Sequence, residues 1–251
     1  MDIIPPYLFP LVFFVALAID RIVAARPQPV VRHWAIKGTI FFLLTAFIRT
    51  AIPAAIAGAL AGHTLFDLSA LGMAGGALAL VLVVTLADYW FHRLAHRSDW
   101  LWRWFHQMHH SAERVDLAGF SYGHPFDNVV AALVGAIAVA VLGVTPEAAA
   151  IAGFFGFLTA LFDHINIRTP RWVGYLVQRP EAHTLHHHRG VHAYNYGLPL
   201  WDMLFGTFRN PQTVEGPAGF WDGASSRVLP MLLGRDVSLP PGSLPQPRRV
   251  R

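Results

Sequence analysis

Five long apolar runs, separated by short polar segments, dominate this chain. A membrane-spanning helix needs about 20 mostly apolar residues, and the runs approach or exceed that length. They predict transmembrane helices at approximately 3–23, 36–61, 65–89, 129–143 and 147–163. Only short links separate the second run from the third and the fourth from the fifth, which predicts two helical hairpins. We therefore expect one all-α domain, a polytopic integral membrane helical bundle of about four to five transmembrane helices.

Composition agrees with a membrane protein and excludes several kinds of site. Of the 251 residues, 54% are hydrophobic and only 14% are charged, whereas soluble domains carry about 25% charged residues. The chain has no cysteine, which excludes disulfides, thiolate zinc sites, cysteine-ligated iron–sulfur clusters and a cysteine nucleophile. The net charge of +4 comes from scattered arginines and not from a continuous basic stripe, so we expect no nucleic-acid partner.

The arginines also predict an orientation in the membrane. The first run has no positive charge before it, and Arg21 and Arg26 follow it, which favours a retained helix over a cleaved signal peptide. The segments 21–37 and 90–126 and everything after 164 are rich in arginine, so the positive-inside rule predicts that they are cytoplasmic. The many arginines and alanines and the single lysine are typical of a GC-rich bacterial genome. We therefore expect a bacterial inner-membrane location.

Most of the 14 histidines fall into clusters on that predicted cytoplasmic side. An HxxxH pattern contains His92 and His96, and two HxxHH patterns begin at His106 and His183. Residues three and four apart share one helix face, so each cluster is predicted to project its imidazoles toward one point. Imidazole binds iron, zinc and copper. The eight clustered histidines exceed the four ligands of a tetrahedral zinc, and adding His164 and the more distant His124 gives enough nitrogen ligands for two metal ions with open positions.

Several motifs accompany these clusters between about residues 80 and 210. They are DYWFHRLAH at 88–96, HQMHHS at 106–111, YGHP at 122–125, FDHIN at 162–166, HTLHH at 183–187 and NYGLPLWDMLFGTF at 195–208. In combination they resemble the fatty acid hydroxylase/sterol desaturase superfamily of membrane di-iron enzymes. The corresponding histidine-box catalytic region is 84–210.

The resemblance implies a cytosolic, histidine-rich metal-binding cap that holds two iron ions. It also implies O2-dependent hydroxylation or desaturation of a fatty acyl, sterol or related lipid. The implied catalytic metal ligands are His92, His96, His106, His109, His110, His183, His186 and His187, with His164 as a further metal ligand. His124 is a weaker candidate. Arg168 stands where some members carry another histidine, and Asn166 and His192 are candidates to replace it.

Two acidic residues are predicted to support these ligands. Asp88 precedes His92 by four residues and therefore shares its helix face, where a carboxylate could hold the outer imidazole N–H. A helix-end charge that faces water is the alternative interpretation of Asp88. Asp202 is expected to support the third cluster through the fold. The segment 230–251 is predicted to be a loosely ordered, flexible tail.

Other kinds of function remain as alternatives. A membrane metal-binding or metal-transport protein without oxygenase activity would use similar residues, but transport needs ligands along the span. A bis-histidine haem protein would need single histidines on facing helices. No glycine-rich dinucleotide fingerprint is present in the sequence, so we expect an external electron donor or reductase. The expected substrate is a lipid from the bilayer. The sequence leaves its identity, and the choice between hydroxylation and desaturation, open.

Overall fold

The computed structural model describes residues 3–243, and within this range the protein is helical and has no β-strand. One π-helical turn, Trp102–His106, and three 3-10 turns, Leu68–Leu71, Arg171–Tyr175 and Ala224–Ser226, supplement the α-helices. The α-helices are α1 (Leu8–Ile22), α2 (Trp34–Leu60), α3 (Gly72–Ala95), α4 (Asp99–Leu101), α5 (Gln107–His110), α6 (Pro125–Leu142), α7 (Pro146–His164), α8 (Pro180–His186), α9 (Pro199–Leu204) and α10 (Val228–Leu232). This architecture confirms the predicted all-α membrane bundle.

Four helices are long and apolar enough to cross a membrane: α2, α3 with its preceding turn, α6 and α7. The first predicted span, 3–23, is shorter than expected. Helix α1 has 15 residues and measures about 22 Å, less than the hydrocarbon core of about 30 Å. Its last turns are tied to the cap because the buried Asp20 accepts the backbone N–H of Asn166 at 2.6 Å. An apolar run alone does not reveal such a tether.

The four spans form two hairpins whose turns meet at one end of the molecule. The turn after α2 contacts the end of α6, where the Leu65 N–H donates to the Val141 carbonyl at 2.9 Å. Gly143 ends α6 with a φ of 60°, and a Cβ there would lie 2.5 Å from Thr64. Glycine is therefore required at this turn by both conformation and space. The segments 96–124 and 165–243 form the cap at the opposite end.

Helix α3 extends further toward the cap than the predicted span 65–89. It continues to Ala95, so His92 lies inside the helix and not beyond it. Helix α2 enters the cap with its N-terminal end, whereas α3 does so with its C-terminal end. Its Trp34 is buried against Tyr122, and the Trp34 Nε1 donates to Asp116 Oδ1 at 2.8 Å. Two of the spanning helices therefore reach directly into the cap.

The segment expected to be a flexible tail from residue 230 is packed as far as the structure describes it. Met231 and Val237 are buried in the same cluster as Trp34 and Met108. The Gln107 side chain donates to the Arg235 carbonyl at 2.8 Å. These apolar and hydrogen-bonded contacts hold the segment against the cap up to residue 243. The remainder of the predicted tail, 244–251, lies outside the described residues.

Candidate metal centre

Nine histidines converge in two groups at the cap end of the spanning helices. Within each group, the potential ligand nitrogens lie within 4.8 Å of one another. The five-histidine group contains His92, His96, His106, His110 and His186, and the four-histidine group contains His109, His164, His183 and His187. These are the nine residues that the sequence singled out as ligand candidates. The structure therefore brings residues from four separate parts of the chain together.

Helix geometry divides each HxxHH box between the two groups. His106 and His110, four residues apart, both belong to the five-histidine group, whereas His109 belongs to the other group. In the third box, His183 and His187 belong to the four-histidine group, whereas His186 belongs to the five-histidine group. The expectation that each box converges on one point is therefore wrong for the two HxxHH boxes, whereas His92 and His96 of the first box share one group. Neighbouring residues on a helix diverge by about 100°, so consecutive histidines face different groups.

Local backbone features aim these side chains. His92 and His96 lie in the last turn and at the C-cap of α3, four residues apart on one face. The second box follows the π-helical turn that ends at His106, a wider turn that is common at functional sites. Helix α8 starts with Pro180, a residue favoured at the first helical position because its missing N–H costs nothing there.

Backbone carbonyls fix the protonation of two imidazoles in the five-histidine group. His92 Nδ1 lies 2.6 Å from the Tyr196 carbonyl, and His186 Nδ1 lies 2.7 Å from the Tyr194 carbonyl. A carbonyl oxygen can only accept, so both Nδ1 atoms carry the proton and both Nε2 atoms carry a lone pair. These two Nε2 atoms are 2.9 Å apart. Two facing lone pairs repel one another, whereas a metal cation between them would be coordinated by both nitrogens.

The four-histidine group repeats this arrangement. His164 Nδ1 lies 2.5 Å from Asp163 Oδ1, and His183 Nδ1 lies 3.2 Å from Gln178 Oε1. The Gln178 amide nitrogen donates to the Asn195 carbonyl at 2.6 Å, which assigns the amide oxygen to His183. His183 therefore presents its Nε2 lone pair, 3.1 Å from the Nε2 atom of His164. A second cation would fit here.

Other histidines in the groups have ring nitrogens without hydrogen-bond partners. His96 and His187 are buried, and neither ring nitrogen of either residue has a partner. An unsatisfied buried polar group costs about 1–3 kcal/mol, which a bound metal would remove. The rings of His110 and His187 stack with a centroid separation of 4.2 Å and so join the two groups. The donor set fits two closely spaced metal ions.

Burial favours the neutral form of most of these imidazoles. Desolvation, followed by the influence of His164, lowers the pKa of His109 to about 3. Desolvation and neighbouring histidines likewise lower the pKa values of six other residues well below the usual 6.5. These are His96, His106, His110, His183, His186 and His187. Neutral imidazole is the form that binds metal.

The metal-free protein is expected to lose stability as the pH falls below the ordinary histidine pKa of about 6.5. The folded pKa values are lowered, so below that pH the unfolded chain binds protons that the folded chain refuses. Each such histidine then shifts the folding equilibrium by up to about tenfold per pH unit. Thermal unfolding of metal-stripped protein across this range checks the expectation. An unfolding midpoint independent of pH between about 6.5 and 4.5 would contradict it.

Three weaker ligand candidates have other partners. His124 caps α6, because its Nδ1 accepts the Phe126 N–H at 3.2 Å. The Asn166 side chain bonds Arg26 twice, at 3.1 Å to the guanidinium and 2.7 Å to the carbonyl. His192 lies beside the five-histidine group, with its ring centroid 4.8 Å from that of His110. None of the three belongs to either group of converging nitrogens.

Of the two carboxylates predicted to support the ligands, Asp202 supports them through the fold and Asp88 does not support His92. Asp88 does not hold His92, because the Tyr196 carbonyl occupies the outer imidazole nitrogen. Asp202 is buried and accepts the Tyr196 and Gly197 N–H groups at 2.9 and 3.2 Å. It also accepts the hydroxyl of Thr207 at 2.7 Å. Asp202 thus holds the loop whose carbonyls orient His92 and His186.

Sequence reasoning missed most of the groups that orient the imidazoles. The carbonyls of Tyr194, Tyr196 and Tyr122 are main-chain atoms, which any residue type supplies, and the sequence therefore contains no signal for them. Asp163 directly precedes His164, and Gln178 lies five residues before His183, where the third box begins. These two polar side chains could have been found by their proximity to predicted ligands.

Comparison with known proteins adds a family match. Residues 77–207 match the family described as fatty acid hydroxylase. An ornithine lipid hydroxylase from Rhizobium tropici is 31% identical over 180 residues, which cover 67% of this chain and 53% of that protein. A very-long-chain aldehyde decarbonylase from Oryza sativa is 31% identical over 160 residues, 60% of each chain.

A sphinganine C4-monooxygenase from Arabidopsis thaliana is 25% identical over 141 residues, 54% of each chain. The matched regions thus span between about half and three fifths of the length of these relatives. No solved structure matches the chain.

Proposed function

The chain belongs to the fatty acid hydroxylase family, and from this premise we propose that it is a di-iron membrane oxidoreductase that hydroxylates a C–H bond of a lipid with O2. The observation that carries the proposal is the pair of facing Nε2 atoms in each histidine group, 2.9 and 3.1 Å apart. The proposed ligands of one iron are His92, His96, His106, His110 and His186. The proposed ligands of the other are His109, His164, His183 and His187.

The chemistry of the donor set supports iron. Nine imidazoles exceed what one or two tetrahedral zinc sites need, and imidazole is a good ligand for iron. Bound iron would supply the redox chemistry that activates O2 and removes hydrogen from an unactivated C–H bond. The facing Nε2 atoms in each group and the unpartnered nitrogens of His96 and His187 support the presence of two ions.

The protein's own contribution is orientation and exclusion of water. The carbonyls of Tyr194 and Tyr196 hold two imidazoles of the five-histidine group, and Asp163 and Gln178 hold two of the other. Such partners fix the tautomer and the ring orientation of a ligand. His96, His110, His186 and other members are almost inaccessible to solvent, so the site is dry, which protects a reactive oxidant from side reactions.

The setting in the membrane supports a lipid substrate that approaches from the bilayer. The spanning helices expose large apolar side chains, such as Phe47 and Leu78, and the histidine groups lie at the cap end of these helices. The turns 61–67 and 143–145 at the opposite end contain no lysine or arginine. We therefore propose that the histidine end faces the cytoplasm of a bacterial inner membrane. Electrons would come from an external reductase.

Hydroxylation is favoured over the related reactions. Two of the three relatives described above carry names of lipid hydroxylases, whereas one is named as an aldehyde decarbonylase. Metal transport is the alternative from another class. It requires ligands along the span, and the clustering of all nine candidate ligands at one end argues against it.

The test uses iron-loaded protein in lipid nanodiscs with a chemical reductant, isotopically labelled O2 and a bacterial lipid extract. We expect mass spectrometry to find a lipid that has gained one labelled oxygen. A lipid that has lost two hydrogens would indicate desaturation, and one that has lost a carbon would indicate decarbonylation. No modified lipid, despite bound and reducible iron, would overturn the oxidoreductase proposal and leave the metal-binding alternative.

Replacing Asp202 by Asn is expected to weaken metal binding by about 10–100-fold, the usual effect of disturbing a group that supports a ligand. The amide loses one acceptor oxygen, so the loop that carries the Tyr196 carbonyl loses part of its anchoring. Metal affinity is measured by competition with a chelator. The control is Asp222→Asn, because the Asp222 side chain is 94% exposed. Equal affinities in the two variants would contradict the expectation.

A further inference from the structure

An apolar surface patch lies on the cap, outside the four spanning helices. Six large side chains form it: Trp172, Tyr175, Leu176, Leu200, Met203 and Leu204. Three of them are about two-thirds exposed, namely Trp172 at 64%, Leu176 at 65% and Leu204 at 66%. Single exposed apolar residues are ordinary, whereas a continuous patch marks an interaction surface. We call these six residues the insertion patch.

The insertion patch is continuous, although it comes from two separate segments. The 3-10 turn Arg171–Tyr175 packs against α9. The ring of Tyr175 lies 5.6 Å from that of Phe208, just beyond α9. The two segments therefore present one combined surface.

The contacts of α9 place this surface at the depth of the spanning helices. The Trp201 Nε1 donates to Thr85 Oγ1 of α3 at 2.9 Å, and the ring of Phe205 lies 4.9 Å from that of Trp90. Trp90 and Arg93 are residue types typical of the membrane–water boundary. Thr85 lies five residues, or about 7 Å, deeper along α3 than Trp90. Interfacial helices bury their apolar face about 5–10 Å into the bilayer, the depth at which α9 contacts α3.

The charge around the insertion patch is complementary to lipid headgroups. Arg168, Arg171 and Arg209 are exposed near it. The acidic residues between 165 and 212 are Glu181 and Asp202, and both are buried. Arginine side chains at such a rim can extend to anionic headgroups while apolar neighbours enter the acyl region.

We propose that the insertion patch enters the acyl region of the bilayer, in the leaflet on the histidine side. The surface continues the lipid-facing surface of α3, and its basic rim fits anionic lipids. The proposal concerns the lipid contact of the cap. It is independent of which metal the histidines bind and of which reaction follows.

The absence of cysteine makes a direct test possible, because any single introduced cysteine is labelled uniquely. Leu176→Cys and Leu204→Cys are each labelled with a nitroxide and placed in nanodiscs that contain phosphatidylcholine and phosphatidylglycerol. Collision rates with O2, which concentrates in lipid, and with a water-soluble nickel complex are then measured. We expect O2 collisions to exceed nickel collisions at both positions.

Two further positions calibrate this measurement. Leu78→Cys, 61% exposed on the spanning helix α3, represents the lipid environment. Val30→Cys, 98% exposed in the loop between α1 and α2, represents water. Ratios at 176 and 204 like that at 78 support insertion. Ratios like that at 30 overturn it, and so would low rates with both reagents, because they would indicate cover by protein. Unchanged metal content in each variant verifies that the protein is folded.

Discussion

Replacing His186 by Ala should remove one metal ion from the five-histidine group, and replacing His187 by Ala should remove one from the four-histidine group. Each change deletes one proposed ligand of its group. The loss of affinity should exceed the roughly 100-fold expected for a supporting residue. Metal content measured by mass spectrometry should fall from about two ions per chain toward about one, and lipid oxidation should be abolished in both variants.

The neighbouring position supplies the matched control. His188 belongs to neither group, and its Nε2 lies 3.0 Å from the Glu215 carbonyl. His188→Ala should therefore keep both ions. If all three alanine variants retained full metal content, the proposed ligand set would be incorrect. If all three lost metal equally, the effect would reflect general damage to α8 and not the loss of specific ligands.

Replacing Arg179 by Met is expected to destabilise the cap by about 3–5 kcal/mol, the range for removing one partner of a buried ion pair. The guanidinium is fully buried and lies 3.1 Å from Glu181 Oε2. It also donates to the Thr169 carbonyl at 2.6 Å and to Asn210 Oδ1 at 2.6 Å. The thermal unfolding midpoint in detergent should fall sharply. The third histidine box directly follows this anchor, so metal content should fall as well.

A second variant separates the buried charge from lost packing. In Arg179→Met the carboxylate of Glu181 remains buried without its cation, whereas Arg179→Met combined with Glu181→Leu removes both charges. Replacing both members of a buried pair by apolar residues is often nearly neutral. We therefore expect the double variant to unfold at a higher temperature than the single one. If the double variant were less stable than the single one, the buried charge would not be the cause.

The sequence contained enough information to identify the spanning helices and the nine converging histidines. Long apolar runs reveal membrane helices because a bilayer imposes a minimum length. Histidines at helical spacing indicate a candidate metal site because several buried imidazoles without partners are unfavourable. Both signals lie in side-chain types and in their spacing along the chain. Such properties can be counted without coordinates.

Features that depend on tertiary contacts could not be found in this way. Helix α1 is tied to the cap because Asp20 accepts the backbone N–H of Asn166, a residue 146 positions away. His92 is held by the Tyr196 carbonyl and not by Asp88, because the loop around Tyr196 packs against α3. The packing of Met231 and Val237 turns an apparently weak C-terminal segment into part of the cap. Each case joins residues far apart in the sequence.

The length of α2 gives the bilayer mechanical influence over the cap. With 27 residues, this helix measures about 40 Å, about 10 Å more than the hydrocarbon thickness. Its first turns are fixed inside the cap by Trp34 and by Gly38, where an added Cβ would collide with the Ala118 carbonyl. A thicker or thinner bilayer changes the tilt of such a helix. Acyl-chain length should therefore tune the geometry around the histidines, and with it the rate of the proposed reaction in membranes of different thickness.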